Sequence, residues 1–260
     1  MDSMSLKNEI AVVTGSDSGI GQATAIAFAH EGADVAITYL HDREGAEHTE
    51  REVRAAGRRA YVAQLDIRDP RRVASWFDEI RQHLGTPTIL VNDAGIDAAG
   101  KHVKDMSLEH WDDIIRTNLY GPFYTCQQFI RGLDGSDKHG CIINITSVHQ
   151  EIPRAGAAGY DASKGGLRNL TTTLALELAE KNINVSNIAP GMVLTSMNQS
   201  ALDDPKVREK QVQSIPMKRA ARPEEIADVA VFLASPRARY IHGTTIFVDG
   251  ALMLYQGQGA

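Results

Sequence analysis

The chain has few cysteines, few aromatic residues and no long apolar run. Its two cysteines, Cys126 and Cys141, form no CxxC pair and have no histidine-rich spacing, so the sequence predicts neither a disulfide framework nor a metal site. No apolar stretch approaches the ~20 residues that span a bilayer. The amino terminus shows no basic region followed by an apolar segment, which a secretory leader would have. We therefore expect a reducing, cytoplasmic location and no membrane partner.

Positive charge is neither in excess nor clustered. The 260 residues include 27 Lys and Arg against 33 Asp and Glu, a formal net charge of −6. Proteins that bind phosphate backbones gather basic residues on one face. We therefore predict a small-molecule substrate and no nucleic-acid partner.

Short β-branched runs alternate with longer helical patterns along the chain, as in βαβ units. Most of the β-branched runs are almost wholly apolar, like strands buried on both faces of a sheet. The predicted fold is α/β, a Rossmann-type doubly wound parallel sheet of about seven strands with helices on both faces. The predicted strands are residues 9–14, 34–39, 59–65, 88–92, 140–146, 184–189 and 244–248. The predicted helices are residues 20–30, 43–56, 70–84, 107–129, 160–180 and 223–233.

Residues 192–217 interrupt this alternation. The stretch is rich in Ser, Gln, Asp and Lys and separates two strand-helix units. We therefore expect a single dinucleotide-binding and catalytic domain over residues 1–260, with a substrate-covering lobe around 192–217.

A glycine-rich segment, TGSDSGIG at residues 14–21, directly follows the first predicted strand and leads into a helix. Glycines allow the backbone to approach a pyrophosphate, and a helix N-terminus offers free N–H groups to it. An ordinary tight turn also uses glycines, but the place after the first strand favours a dinucleotide cofactor, NADP or NAD. Asp66 after the third strand and Asn92 after the fourth lie at the same edge, although solvated turns would use the same residues.

The second predicted strand ends without a carboxylate, which would bind the ribose of NAD and repel a 2′-phosphate. Tyr39 stands at this position, and His41 and Arg43 follow it. Asp17 and Asp42 add negative charge nearby. We expect both dinucleotides to be accepted, with a preference for NADP.

Tyr160 and Lys164 are four residues apart at the start of a helical pattern, so their side chains share one face. Ser147 closes the fifth predicted strand, at the same sheet edge as the glycines. A neighbouring ammonium and an oxidised nicotinamide favour a phenolate and lower its pKa from about 10. Tyr160 could then exchange a proton with an alcohol while Ser147 orients the reacting oxygen. Taken singly, Tyr160 could be an ordinary packed side chain and Lys164 an ordinary solvated one. The prediction rests on the joint placement of Tyr160, Lys164 and Ser147.

Together these motifs resemble the short-chain dehydrogenase/reductase family over residues 6–255. The motifs in chain order are the glycine turn at 14–21, Asp66, the segment 92–95, Asn118, Ser147, Tyr160-x-x-x-Lys164, and Pro190-Gly191 followed by Thr195.

The resemblance implies a role for each residue. Tyr160 would be the acid/base, Lys164 would bind the nicotinamide ribose and lower the pKa of Tyr160, Ser147 would position substrate, and Asn118 would hold a water that links Lys164 to solvent. Asp93 departs from the family, which usually has a second Asn there. We expect Asp93 to alter local hydrogen bonding without touching the proton relay. The predicted cofactor-binding residues are Gly15, Ser18, Gly19, Ile20, Gly21, Tyr39, Asp66, Ile67, Asn92, Ala94, Gly95, Tyr160, Lys164, Pro190, Gly191, Val193 and Thr195.

Three short segments, residues 147–153, 214–217 and 252–255, resemble those of glucose 1-dehydrogenases within the family. A sugar or polyol substrate follows from this likeness, and its predicted binding residues are Asp97, Ser147, His149 and Tyr160.

Two alternatives to the sugar prediction remain open. The first is a 3-oxoacyl thioester (acyl-carrier-protein) reductase, for which Lys206, Arg208 and Lys210 would supply positive charge, offset by Asp203, Asp204 and Glu209. The second is a non-catalytic nucleotide sensor. Whatever the substrate, the resemblance to the family implies a homotetramer, in which subunits pair through the helices at 107–129 and 160–180.

Overall fold

A parallel sheet of seven strands organises residues 4–97 and 100–255, which are the residues described in this computed structural model. The strand order is β3-β2-β1-β4-β5-β6-β7, and every neighbouring pair is parallel. The strands are β1 Ile10–Thr14, β2 Asp34–Tyr39, β3 Ala60–Gln64, β4 Ile89–Asn92, β5 Gly140–Ile145, β6 Ile183–Pro190 and β7 Thr245–Val248. The predicted strands are confirmed, with ends that differ by at most one residue.

Helices connect the strands. The α-helices are α1 Gly19–His30, α2 Arg43–Ala55, α3 Pro70–His83, α4 Leu108–Ile115, α5 Gly121–Leu133, α6 Ala158–Leu178, α7 Gln199–Asp203, α8 Pro205–Gln211 and α9 Pro223–Ala234. Short 3-10 turns occupy Val103–Asp105, Val148–Gln150, Ala179–Lys181, Ser196–Asn198, Val212–Ser214, Pro236–Ala238 and Leu252–Tyr255.

The sheet buries side chains on both of its faces. Because successive residues of a strand point in opposite directions, Val13 joins one apolar cluster with Phe28 of α1. Its neighbour Val12 joins the other cluster, with Trp76 of α3 and Phe129 of α5. Helices therefore cover both faces, and the predicted doubly wound fold is confirmed.

Sequence signals explain where several helices begin. Pro70 stands in the first turn of α3, where its missing N–H costs nothing. The Asp69 side chain caps the same helix by accepting from the N–H of Arg71 at 2.9 Å and of Arg72 at 3.2 Å. Pro223 occupies the same position in α9.

The pattern predicted as one helix over residues 107–129 is broken in the structure. A wide π-type turn, Arg116–Tyr120, separates α4 from α5. Such a turn takes in an extra residue and is frequent at functional sites. Here it contains the buried Asn118, and the helical run continues to Leu133. An apolar repeat reports the buried face of a helix but carries no sign of one inserted residue.

Five polar side chains, which we call the polar ladder, are hydrogen-bonded across the carboxyl half of the sheet. The Asn92 amide donates to Asn144 at 2.8 Å, and the Asn144 amide donates to the Thr171 hydroxyl at 2.7 Å. That hydroxyl donates to Asn187 at 2.6 Å, and the Asn187 amide donates to Thr245 at 3.1 Å. The pairing register places Asn92 beside Asn144 and Asn144 beside Asn187. The ladder thus fixes the alignment of four strands, β4 to β7.

The segment 192–217 folds as the short helices α7 and α8 with 3-10 turns on either side. Val212 and Ile215 of this segment form a small apolar cluster with Ala220, and Leu252 packs against that cluster. Within residues 4–97 and 100–255, no helix is long and apolar enough to cross a membrane, and no group of three or more His, Cys, Asp or Glu side chains is arranged to hold a metal ion. Residues 98–99 and the two chain ends, which belong to the predicted domain, lie outside the described residues.

Replacing Asn144 with Leu tests the ladder. The change leaves the Asn92 amide and the Thr171 hydroxyl without their shared partner inside the protein, and each unsatisfied buried group costs about 1–3 kcal/mol. We expect the free energy of unfolding in urea to fall by about 2–4 kcal/mol. Thr172→Val is the control, because this hydroxyl is exposed and bonds within its own helix. Equal unfolding midpoints for the two variants would contradict the role of the ladder.

Candidate active site

A cavity of about 440 Å³ opens at the carboxyl ends of β1 to β4. This is the edge at which doubly wound sheets bind nucleotides. Among the predicted cofactor-binding residues, the ones that line it are Gly15, Ser18, Gly19, Ile20, Tyr39, Asp66, Ile67, Ala94, Gly95 and Thr195. Ser196 and Met197, from the lobe predicted around 192–217, line it as well.

The other predicted cofactor-binding residues lie outside the lining of this cavity. They are Gly21, Asn92, Tyr160, Lys164, Pro190, Gly191 and Val193. The Asn92 amide belongs to the polar ladder, and Gly191 N–H bonds Val248 O at 3.0 Å. Val193 bridges Ala221 beside the lobe.

The glycine turn has the tight geometry that its spacing predicts. Gly15 has φ +66°, a left-handed conformation that favours glycine. A Cβ on Gly21 would clash with the Gly15 carbonyl oxygen and would lie 2.8 Å from Asp93 Oδ2. The turn therefore leads directly into the N-terminus of α1, whose first N–H groups have no partners within a helix.

Charged residues stand at the opposite end of the cavity. Arg68 donates two hydrogen bonds to Asp66, from Nε to Oδ1 at 2.9 Å and from Nη2 to Oδ2 at 2.7 Å. It also forms an ion pair with Asp113. The hydrogen bonds from Arg68 hold the pKa of Asp66 below its usual range. His41 lines the cavity, whereas the Arg43 guanidinium turns outward to Glu47 at 2.8 Å.

The predicted catalytic side chains meet beside the carboxyl end of β5. Lys164 Nζ lies 5.6 Å from the ring centroid of Tyr160 and donates to Ile145 O at 2.8 Å. Ser147 follows the end of β5 and shares a hydrogen bond with the Tyr160 hydroxyl. All three side chains are buried. The spacing of four residues on α6 thus places the phenol and the ammonium together, as predicted.

Asn118 lies in the π-type turn and faces the backbone that follows β4. Its amide accepts from Ile96 N–H at 2.8 Å and donates to Ile96 O at 2.9 Å. The same amide nitrogen lies 3.2 Å from the Ser163 hydroxyl on α6. The wide turn therefore joins the loop after β4 to the helix that carries Tyr160 and Lys164.

Burial dominates the protonation of the pair. Desolvation raises the pKa of Tyr160 to about 12, and the hydrogen bond with Ser147 opposes it. Desolvation lowers the pKa of Lys164 to about 8, while the carboxylates of Asp93 and Asp97 oppose that shift. That Lys164 lowers the pKa of Tyr160 stays a prediction, because the shift of Tyr160 comes from burial, from the Ser147 hydrogen bond and from smaller contributions of neighbouring charges. With a pKa of about 12, Tyr160 is a phenol at neutral pH.

Asp93, expected to alter local hydrogen bonding only, is electrostatically coupled to Lys164. Burial raises the pKa of Asp93 to about 7, and the Lys164 ammonium and the Gly21 N–H oppose that shift. Asp17 in the glycine turn adds a smaller, repulsive contribution. Asp93 therefore joins the cofactor turn electrostatically to the catalytic lysine.

The predicted substrate-binding residues surround the Tyr160 phenol. The His149 ring meets the Tyr160 ring edge to face, with centroids 6.1 Å apart, and its Nδ1 lies 2.8 Å from Ile152 O. Asp97 forms an ion pair with Arg154 at 2.6 Å, and the Arg154 guanidinium lies 5.8 Å from the Tyr160 ring centroid. Sequence reasoning missed Arg154, an isolated cation in an irregular loop. Its place between Ser147 and Tyr160 was the one available signal.

Comparison with known proteins agrees with this geometry. A family model described as enoyl-(acyl carrier protein) reductase matches residues 15–252. Glucose 1-dehydrogenase 2 of Bacillus subtilis (strain 168) is 37% identical, with 97% of this chain and 98% of the relative covered. The 3beta-hydroxysteroid dehydrogenase 1 of Eggerthella lenta is 41% identical, with 97% and 96% covered. A 3-oxoacyl-(acyl-carrier-protein) reductase of Staphylococcus epidermidis is 35% identical, with 95% and 100% covered.

Solved structures match over the same extent. A putative short-chain alcohol dehydrogenase from Sinorhizobium meliloti 1021 superposes with a TM-score of 0.91 at 36% identity, covering 97% of this chain and 99% of that one. A putative 2-deoxy-D-gluconate 3-dehydrogenase from Agrobacterium tumefaciens, with bound NADP, gives 0.87 at 32% identity, covering 98% and 100%.

The cavity at a helix N-terminus and the buried Tyr160–Lys164 pair beside it define an α/β oxidoreductase of the Rossmann type. The chain belongs to the short-chain dehydrogenase/reductase family, whose members use NAD(P). The relatives act on different substrates, so the family establishes the class of reaction and leaves the substrate to be argued from the site.

Replacing Asp93 with Asn tests its coupling to Lys164. Asn keeps the size and an acceptor for Gly21 N–H but removes the charge that favours the ammonium. The pKa of Lys164 should fall below about 8, so the ammonium is lost at a lower pH than in the wild type. If Lys164 binds the cofactor, dinucleotide affinity should decline about one pH unit earlier as the pH rises.

The measurement is dinucleotide affinity, by fluorescence titration, from about pH 6 to about pH 10. Asp113→Asn is the control, because it removes a carboxylate from the same cavity at the Arg68 end. Identical pH profiles for the wild type and Asp93→Asn would refute the coupling.

Proposed function

We propose that this chain is an NADP- or NAD-dependent dehydrogenase acting on a sugar or polyol, in the manner of a glucose 1-dehydrogenase. The observation that carries the substrate class is the polar border of Tyr160, formed by Asp97, Arg154 and His149. A pocket that hydrogen-bonds several hydroxyls needs such groups, whereas a steroid or acyl pocket is lined by apolar side chains. The 37% identity to a glucose 1-dehydrogenase supports the same class.

The residues around the cavity fit a dinucleotide. The glycine turn brings backbone N–H groups to the N-terminus of α1, and an added Cβ at Gly21 would obstruct it. Gly15, Ser18, Gly19 and Ile20 would hold the pyrophosphate, and Tyr39, Asp66 and Ile67 the adenosine half. When bound, the nicotinamide accepts a hydride from an alcohol carbon or gives one to a carbonyl.

Side chains of this protein manage the accompanying proton. Ser147 donates to the reacting oxygen and holds it near the Tyr160 hydroxyl. Tyr160 accepts the alcohol proton during oxidation and returns it during reduction. Lys164 binds the nicotinamide ribose as an ammonium, and its charge then favours the phenolate. Asn118 holds a water that carries the proton from Lys164 to solvent.

The adenosine end supports a preference for NADP. The second strand ends in Tyr39 and not in a carboxylate, and His41 lines the same cavity, where it would favour a 2′-phosphate. Arg43 is engaged with Glu47 and contributes less than the spacing suggests. Asp17 opposes a phosphate, and burial raises the pKa of its carboxyl.

A 3-oxoacyl thioester reductase is the second candidate. Lys206 and Lys210 on α8 are exposed, and Asp204 is occupied in capping α8 through Lys206 N–H at 2.8 Å. Exposed cations suit an acidic carrier protein. A relative of this activity at 35% identity supports the candidate.

An exposed apolar surface supports a proposal on the assembly, and the two cysteines support a proposal on the location. An apolar depression between the π-type turn, α5 and α6 is lined by Leu119, Tyr120, Phe123, Tyr124 and Leu170, with Tyr120 43% and Phe123 45% exposed. Such a patch supports isologous pairing, and we propose a homotetramer built on it. We further propose a cytoplasmic location, with the unpaired, buried thiols of Cys126 and Cys141 as support. The segment 192–217 would act as a lobe over the substrate, within a single domain.

Replacing Tyr160 with Phe tests the mechanism. The ring is kept and the proton is removed, so turnover should fall roughly 10²–10⁴-fold or more. Dinucleotide affinity should stay near that of the wild type. Tyr240→Phe is the control, because this tyrosine is fully exposed. Near wild-type turnover in Tyr160→Phe would exclude Tyr160 as the acid/base.

A substrate panel tests the specificity. Initial rates at saturating NADP(H) or NAD(H) are measured for D-glucose, related sugars and polyols, for a hydrophobic ketone and for a 3-oxoacyl thioester. We expect the highest kcat/KM within the sugars and polyols. A thioester or ketone turned over far more efficiently than every sugar would overturn the substrate assignment and leave the Tyr160 mechanism standing.

A further inference from the structure

The ion pair between Asp97 and Arg154 is fixed against the catalytic phenol. The two side chains meet at 2.6 Å, and the guanidinium carbon lies 5.8 Å from the Tyr160 ring centroid. The Arg154 backbone N–H donates to Asp161 Oδ2 at 2.7 Å, so the loop is tied to the residue next to Tyr160. The pair therefore lies beside the Tyr160 ring, on a loop that is hydrogen-bonded to α6.

Both members of the pair keep surface and bonding capacity. The Arg154 side chain is 39% exposed and the Asp97 side chain 19%. A guanidinium has five N–H donors, and the bond to Asp97 uses one of them at Nη2. A carboxylate has two acceptor oxygens, and Arg154 takes Oδ1. A strong donor and a strong acceptor thus stand side by side next to Tyr160.

The charge of this wall favours a neutral ligand. Arg154 is balanced by Asp97, and a second carboxylate, Asp161, lies behind the loop. The Lys164 ammonium donates to Ile145 O at 2.8 Å, and the carboxylates of Asp93 and Asp97 oppose its charge. A carboxylate on the substrate would meet no surplus positive charge here. Two adjacent hydroxyls, one accepting and one donating, match the pair without a charge penalty.

We propose that Arg154 is a specificity-determining residue that acts with Asp97 to bind a vicinal diol next to the reacting carbon. Arg154 donates to one hydroxyl oxygen, and Asp97 accepts from the neighbouring hydroxyl. This assignment rests on the proposed sugar or polyol activity, and it names the hydroxyls that the site reads. It also explains why a cation lies on the face of an acid/base tyrosine.

The test compares the best sugar or polyol of the panel with its monodeoxy analogues. Arg154→Met removes the donors and keeps an extended side chain, Arg154→Lys keeps the charge without the fork, and Asp97→Asn keeps the size without the charge. We expect Arg154→Met to lower kcat/KM for the parent substrate about 10-fold to 100-fold, mainly through KM. The analogue that lacks a hydroxyl next to the reacting carbon should lose far less, because its contact is already missing.

Arg168→Met is the matched control. Arg168 pairs with Glu151, three residues before Arg154 in the chain, at 3.1 Å and not with Asp97, so its loss should not change the parent-to-analogue ratio. Unfolding midpoints and dinucleotide affinities establish that each variant is folded. Arg154→Lys should show a loss between those of the wild type and Arg154→Met.

The outcomes separate two failures. If the wild type oxidises sugars but Arg154→Met loses the same factor on the parent and on every analogue, or loses nothing, the diol assignment is wrong and the proposed function stands. If the loss falls on sugars that bear a carboxylate and spares neutral ones, Arg154 reads a charge and the assignment is again wrong. If no sugar or polyol is turned over while the thioester is, the proposed function itself fails and the diol assignment fails with it.

Discussion

The placement of the whole site depends on a line of buried amides and hydroxyls. Asn92, Asn144 and Asn187 occupy matching registers on β4, β5 and β6, and each supplies a hydrogen bond to the next through a side chain or through Thr171. A slip of one residue would turn these side chains to the opposite face of the sheet. It would also strand several polar groups away from water, which is the larger cost. The strands therefore end together, and Ser147 emerges three residues beyond Asn144.

Burial beyond that edge sets the chemistry of the site. Removing water from Tyr160 and Lys164 disfavours their charged forms, which raises the pKa of Tyr160 to about 12 and lowers the pKa of Lys164 to about 8. Neighbouring charges then decide how far each group departs from neutrality. Asp93 and Asp97, which both lie in the loop that follows β4, raise the pKa of Lys164 and so support the ammonium. The cofactor turn, the catalytic lysine and the substrate wall thus share one electrostatic environment.

Much of this arrangement can be predicted from the sequence. Runs such as residues 140–145 are mostly apolar and rich in β-branched residues. This pattern is typical of a strand that is buried on both faces of a sheet. The spacing of Tyr160 and Lys164 is enough to place both on one helical face. The glycine turn is predictable because backbone approach and positive φ each demand glycine.

The missed features share a physical cause, which is that they depend on contacts between distant segments. Asn144 looks like a flaw in an apolar strand until Asn92 and Asn187 are placed beside it. Arg154 belongs to no periodic pattern. Its place in the site is apparent only from the ion pair with Asp97, more than fifty residues away in the chain. Asp93 departs visibly from the usual motif, but its effect on Lys164 requires the fold that packs α6 beneath it.

The π-type turn at Arg116–Tyr120 has a consequence for how this helical region tolerates insertions and deletions. A regular α-helix advances about 100° per residue, so the extra residue in the wide turn shifts the angular phase of α5 relative to α4. Losing one residue there would restore a regular helix. The same deletion would rotate α5, which carries Phe123, by about 100° relative to α4. Either Asn118 or the apolar surface of Tyr120 and Phe123 would then lose its present orientation. An insertion or deletion in this turn therefore changes the orientation of the buried Asn118 relative to the exposed aromatic surface, so the two constrain the length of the turn together.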